Sequence, residues 1–442
     1  MKICIIGGGI TGLSSALKLS ALGHDVKIFE ASSFSGGQAS TLKIKDFEIE
    51  KAYHHLFVTD KAILKLYKDL EIENEIEWFH SSVATYSNGK IWPTTTPIDI
   101  LQLSIISFIE RIKLFTLSIR LKLIKNWEKF EDITAYDWLS KHVNNNTFNL
   151  IFEPLLRGKF GKYYKQICMP WFWAKIQSRV SSRNKKFQEI LCYPKNSFSY
   201  LIETLEKKII INGGEIYHNH KVSKINISNN KIKSIEYQTE KNIKHTENFD
   251  IVISTTPYSI LSKLVPFSKK ILSDMNKVEY MSAIVVILIL KQPISKYYWL
   301  SIADKNFPFL GIIEHTNLIP KERYNGSNIV YITNYVEDDN DLIKLDYDSL
   351  MKIYLPYLQK INSNFSMDQI EDFKFNKINY AQPIIPINYS SYKIPIKLPI
   401  KGLYSANTAQ IYPEDRGTNY SVELGEIVTN IIKEDENGFI KR

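Results

Sequence analysis

The chain has 442 residues, 44% of them hydrophobic and 23% charged, and carries a formal net charge of +9. That length accommodates two domains with sizeable cores, and the composition excludes a disordered or fibrous chain. The lysines are scattered among Ile and Asn with no nucleic-acid-binding motif, so nucleic acid is excluded as an expected partner and an anionic small molecule or membrane surface suits the charge better.

The chain opens on a short apolar run, Ile3 to Ile6, of the kind a strand buried on both faces shows. Gly7, Gly9 and Gly12 follow as G-x-G-x-x-G where that strand should open into a helix. Gly7 permits the tight turn, Gly9 lets a pyrophosphate approach the backbone, and Gly12 allows close helix–strand packing. The helix start, with Thr11 in its first turn, offers free N–H groups and a positive dipole end to phosphate. Gly23 should end this helix and Val26 to Phe29 form the next strand. Glu30 closes that strand 18 residues after Gly12, where a carboxylate can accept from ribose hydroxyls. A second glycine turn, Gly36-Gly37 followed by Gln38, would lie along the same pyrophosphate.

These motifs resemble the FAD-binding family that includes amine oxidases, protoporphyrinogen oxidases and phytoene desaturases. The resemblance implies FAD and an α/β fold: a Rossmann-type FAD-binding domain with a discontinuous mixed α+β substrate domain. The family usually places an arginine beside the second glycine turn, whereas this chain has Ser35-Gly36-Gly37-Gln38. Further along, the resemblance puts Tyr53, His54 and His55 beside the flavin ring, His55 being the cofactor candidate. Their alternative role is to cap a helix beginning near Thr59-Asp60.

Residues 98–125 predict one helix, with Leu101, Ile105, Phe108, Ile112, Phe115 and Ile119 as its apolar face. Arg111, Lys113, Arg120, Lys122 and Lys125 crowd its second half. Two readings stand: a domain helix with a solvated charged face, or a basic amphipathic helix in peripheral contact with a membrane. Thr134, with Asp137 three residues on, marks another helix start. The stretch Phe152 to Gly161 reads as a turn begun by Pro154 and loosened by Gly158 and Gly161. It resembles the substrate-domain segment of protoporphyrinogen oxidases. Arg157, Tyr163 and Trp173 are its substrate candidates, because guanidinium and aromatic rings suit a large, partly apolar anion. Packing of the aromatics in a helical core is the alternative.

Beyond Ser199 a helix, a strand and a small β-meander are expected, and the resemblance brings the Val222 backbone to the adenine and Thr255 near the cofactor. His218-x-His220 lacks a third ligand nearby, so no metal site is expected. Glu314 and His315, at the end of a strand, are read either as a proton relay touching substrate or as a solvated polar turn. In the last block, Asn407 stands where the family holds the ribityl side with an acid. Gly417, Thr418 and Asn419 enter a terminal helix facing the flavin pyrimidine edge. No cysteine lies there, which implies noncovalent FAD.

The expected domain pattern is FAD-binding residues 1–75, 199–280 and 396–442, with substrate-domain residues 76–198, mostly helical, and 281–395, strand-rich. Cys4, Cys168 and Cys192 lie far apart with no C-x-x-C, which excludes a dithiol–flavin relay and suits a reducing compartment. No apolar run reaches the about 18 residues a membrane span needs, and a cytoplasmic location is expected. The functional expectation is hydride transfer from a bulky, partly apolar, anionic small-molecule substrate to flavin N5, in the manner of a protoporphyrinogen oxidase or amine oxidase. The alternatives are a redox-neutral flavoenzyme of nucleotide-sugar mutase type and a noncatalytic flavin-binding protein.

Overall fold

A computed structural model describes residues 1–440. Ile3 to Ile6 are almost fully buried, and their strand, Lys2–Ile6, pairs in parallel with Asp25–Phe29 on one side and Ile251–Ser254 on the other. Glu215–Tyr217 and Leu403–Ser405 complete a five-stranded parallel sheet, so three distant stretches of chain meet in it. Burial on both faces explains why these strands read as unbroken apolar runs. The first helix, Ile10–Ala21, ends at Gly23, whose φ of +83° is one that glycine adopts without a Cβ penalty. Its small residues face the terminal helix, Thr418–Ile440. A Cβ on Gly425 would come within 2.9 Å of Ser14 Cβ and 3.1 Å of Thr11 O, so this glycine lets the two helices touch.

The second layer is a seven-stranded sheet built from a hairpin at 83–93 and five strands between 280 and 383. Its longest buried strand, Tyr280–Leu290, lies second from one edge, paired with Ile370–Pro383 on one side and Asn328–Val336 on the other. Val285, Ile287 and Ile289 point into the core shared with the parallel-sheet domain, and Ile284, Val286 and Leu288 into a separate core. This period-two split places the strand as a partition between two packed layers. A three-stranded meander, Lys221–Ser228, Lys231–Gln238 and Lys244–Asn248, packs against one face of the parallel sheet, sharing a core with Cys4, Phe29 and Val252.

The helical region departs from the sequence reading in two places. The single helix expected over 98–125 is two, Pro97–Gln102 and Phe108–Leu123, because Ser107 accepts the Glu110 N–H and starts a new helix. The stretch around Arg157 is a helix, Glu153–Phe160, rather than a turn: Pro154 sits in its first turn, where no intrahelical N–H is lost. Thr134 caps Ala135–His142 as expected from its spacing, accepting the Asp137 N–H at 3.0 Å.

Candidate active site

Two glycine turns lie against each other at the mouth of the parallel sheet. The Gly36 N–H donates to Gly8 O at 2.8 Å, and a Cβ on Gly37 would stand 3.1 Å from Gly9 Cα. A Cβ on Gly12 would fall 2.1 Å from Gly7 O, so only glycine lets the first helix pack this close. The helix begins at Gly9 with no side-chain cap, leaving first-turn N–H groups free for an anion. Glu30 accepts the Gly8 and Ser32 N–H groups at 2.7 Å each, one per carboxylate oxygen, and each oxygen keeps a second lone pair. Thr255 Oγ1 donates to the Ile6 and Gly7 carbonyls and holds the turn open.

These groups line a cleft of about 550 Å³. Gly7, Gly9, Thr11, Glu30, Gly36, Gly37, Gln38, Thr255, Asn407, Gly417 and Thr418 all reach it, so two helix N-termini converge there. Asn407 is buried and closes a reciprocal cap with Gln410. Asn419 instead accepts the Ala62 and Ile63 N–H groups with its side chain, tying down the start of Lys61–Asp69. Val222 is buried in the meander, off the wall of the cleft. No arginine flanks the second glycine turn; Lys51, seated over the Phe34 ring at 3.1 Å from its centroid, puts a cation on that wall. A double-glycine cradle, two helix starts, a carboxylate with free lone pairs and a lysine are what a dinucleotide's pyrophosphate and ribose require. The residues fit FAD.

Past Gln38, His54, Arg416 and Gly417, which border both spaces, the cleft continues into a chamber of about 210 Å³. Tyr53, His55, Trp299 and Tyr335 form much of its aromatic wall, and Lys159, Lys175, Arg179 and Arg416 bring four cations to it. Asp415 is the carboxylate among them: it accepts from Lys159, from Lys175 at 3.5 Å and from Trp171 Nε1 at 3.1 Å. Burial pushes its carboxyl up, but Lys159 and Lys175 outweigh burial and hold it well below the usual range. Burial and the neighbouring Lys159 charge lower Lys175 to about 8. Arg179 faces Glu189 at 3.5 Å, and Asp60 on the chamber wall is raised by burial to about 6. Positive charge stays in excess even with all three carboxylates ionised. Arg416 donates to Tyr335 Oη at 2.8 Å, while its buried Nε has no partner among the described residues. His54 and His55 are neutral, burial lowering them to about 4 and about 3, and His55 Nδ1 meets Tyr298 Oη at 2.8 Å. They therefore line the chamber rather than cap the helix after Asp60.

The substrate candidates read from sequence lie elsewhere. Arg157, Tyr163 and Trp173 are partly buried but absent from the chamber wall. Their helices turn Lys159 and Lys175 to that wall instead, and Trp173 Nε1 donates outward to the Ile124 carbonyl. Neither sequence reading of Glu314 and His315 describes them: both are fully buried, neither solvated nor at the chamber. Glu314 accepts the Ile294 and Ser295 N–H groups, and His315 Nε2 lies 2.6 Å from Tyr324 Oη. His218 meets Ser35 Oγ at 2.8 Å, and no metal-binding group occurs among the described residues. Lys175, Arg179, Asp415, Arg416 and Tyr335 were not singled out from sequence. The one available signal was spacing, since Trp171, Lys175 and Arg179 recur every fourth residue and share a helix face.

The family profile described as flavin containing amine oxidoreductase matches residues 10–413. The 4,4'-diaponeurosporene oxygenase of Staphylococcus haemolyticus is 21% identical over 409 residues, 84% of this chain and 78% of that protein. The 15-cis-phytoene desaturase of Synechococcus elongatus is 26% identical over 170 residues, so that match spans only 36% of its length. Among solved structures, an oxidoreductase from Methanosarcina mazei superposes with a TM-score of 0.75 at 19% identity, covering 98% of this chain and 100% of that one. Reduced UDP-galactopyranose mutase gives 0.72 at 14% identity, covering 97% and 96%. These two likenesses carry the fold: a Rossmann-type FAD domain with a second, substrate-facing layer. With the profile spanning nearly the whole chain and a cleft that fits the cofactor, the protein belongs to the flavin containing amine oxidoreductases, a family of FAD-dependent oxidoreductases.

Proposed function

We propose that the protein oxidises a partly apolar substrate carrying a carboxylate or phosphate, with the anionic group held in the basic chamber. The observation that carries this reading is the excess of cations in a partly aromatic chamber opening directly onto the cofactor cleft. Charges withdrawn from water need counter-charges, and Asp415, Asp60 and Glu189 are one too few for the four cations. FAD bound in the cleft supplies a hydride acceptor at flavin N5. The chain's own part is orientation: Arg416 and Arg179 offer forked donors to an oxyanion, while Lys159 and Lys175 act as point charges. Trp299, Tyr53 and Tyr335 provide apolar faces for the rest of the substrate and displace water from it. The substrate loses a hydride and a proton, and the two electrons pass on to an acceptor such as oxygen or a quinone.

The test is anaerobic bleaching of the bound flavin by candidate substrates with and without a carboxylate or phosphate. The acidic forms are expected to reduce it and their uncharged esters to do so at least about tenfold more slowly. Equal rates for acid and ester would remove the anion from the reading. The fold likeness to the mutase favours one second reading, a redox-neutral reaction. In that case substrate is converted only when the flavin has first been reduced, with no net oxidation.

A further inference from the structure

We infer that the helix Phe108–Leu123 docks the protein on an anionic membrane surface. A third of the exposed large hydrophobic side chains among the described residues fall between positions 98 and 123. They are not scattered. With each residue turning about 100° around the axis, Leu114, Leu117 and Leu121 make one face, which is buried. Phe108, Ile112, Phe115, Ile119 and Leu123 make the opposite face, and all are exposed, Phe108 at 63% and Leu123 at 74%. Most of the periodic stripe visible in the sequence is thus the outward one. Ile98 and Leu101, also exposed, extend it onto the preceding short helix.

Cations border the exposed stripe on both sides: Lys113 and Arg120 along one edge, Arg111 and Lys122 along the other. Lys113 is paired with Glu110, and Arg111 donates to the Leu101 and Ile106 carbonyls. Arg120, Lys122 and Lys125 face no carboxylate within ion-pair distance among the described residues. Within the two helices the acidic side chains are withdrawn, Glu110 being 3% exposed and Asp99 closed in a cap with Thr96, and exposed Glu128 lies beyond the helix end, three residues after Lys125. An apolar stripe flanked by lysine and arginine matches a surface that is apolar within and anionic at headgroup depth. A second copy matches poorly, since a two-fold contact through this stripe would set the same cations against one another. No helix among the described residues is long and apolar enough to cross a membrane, so the contact is one of lying on the surface.

The docked helix is one helix away from the chamber. Gln177 Nε2, on Met169–Ser181, donates to the Leu121 and Lys122 carbonyls at 2.8 and 3.1 Å. From that same helix Lys175 and Arg179 reach the chamber wall. A partly apolar anion dissolved in the membrane would thus meet the protein near the site proposed to receive it.

The experiment is flotation of the FAD-loaded protein with vesicles of phosphatidylcholine alone and of phosphatidylcholine containing phosphatidylglycerol, at low and high salt. Co-flotation with the anionic vesicles, weakened by salt, is expected. Ile112→Ser with Phe115→Ser should lower partitioning by about tenfold or more, and Arg120→Glu with Lys122→Glu by at least about fivefold for each cation removed. All four positions are exposed, so FAD content and melting should stay at parental values, which separates loss of docking from loss of fold. Failure of the parent to float with anionic vesicles overturns the inference. So does flotation that both double variants retain. A dimer in sedimentation that the serine variant splits, with no vesicle binding, would give the stripe to a second copy instead.

Discussion

The cofactor cleft and the basic chamber share a wall at Arg416 and Gly417 but are made of different materials. The cleft is built mainly from backbone: two glycine turns, two helix starts and strand ends, all within short contiguous motifs. The chamber is built from side chains: Lys159 and Lys175 from two helices, Tyr335 from the sheet, and Asp415 and Arg416 from the approach to the terminal helix. The difference teaches where each site is vulnerable. Backbone geometry fails when a Cβ is added, and a side-chain cluster fails when its charge balance is disturbed.

The sharpest break in the chamber should come from Asp415→Asn. Removing the carboxylate leaves Lys159 and Lys175 repelling each other, a loss of about 3–5 kcal/mol for one partner of a largely buried charge cluster. Melting with and without inorganic phosphate checks this: the variant should melt well below the parent and recover partly when phosphate enters the chamber. Parental melting would show that Asp415 is not the counter-charge.

On the cofactor side, Glu30→Ala should weaken FAD by about 1.5–3 kcal/mol for each charged hydrogen bond lost. Fluorescence titration of the apoprotein measures it, and anion binding in the chamber should be untouched. If both fall together, the two regions are one energetic unit and the comparison fails.

A smaller effect separates the regions by pH. Lys175 is charged below about pH 8 in the folded protein and below its usual 10.5 in the unfolded chain. Between those values the unfolded chain binds the extra proton, so this group makes stability rise with pH across that window. Anion binding should move oppositely and fall as pH passes about 8. Lys175→Met should abolish both slopes, and an unchanged binding profile in that variant would take Lys175 out of the anion site.

The smallest change is expected at Glu314→Gln. Burial raises Glu314 from its usual 4.5 to about 8, so at neutral pH it is largely protonated in the folded protein but ionised in the unfolded chain, and this group makes stability fall as pH rises between those two values. The amide oxygen can still accept the Ile294 and Ser295 N–H groups, so stability at neutral pH should shift by less than about 1 kcal/mol. Flavin reduction should not change. A slowed reduction would return the Glu314–His315 pair to the reaction, which their burial off the chamber wall argues against.

The legibility of the two regions follows the same division. Gly7, Gly12 and Gly37 announce themselves because a backbone at φ +104° or a carbonyl 2.1 Å from a would-be Cβ admits one residue type. Arg157 and Lys159 look equivalent in the sequence, yet the helix Glu153–Phe160 presents Lys159 to the chamber and not Arg157. The stripe of Phe108 to Ile119 shows the same limit. Its period specifies a helix but not which face meets protein, and the leucines interleaved with it took the core.

By itself, then, the sequence determined the parallel-sheet domain, the pyrophosphate cradle and the helix cap at Thr134, since each rests on steric or hydrogen-bonding demands satisfied within a few residues. Tertiary structure alone decided the chamber: which cations converge, that Asp415 sits among them, that His315 is sealed in the core, and that an apolar helix face is left outside. Those outcomes depend on the rotation of whole helices about their axes as they pack. That rotation is set by the summed burial of distant partners, a quantity no local stretch of chain contains.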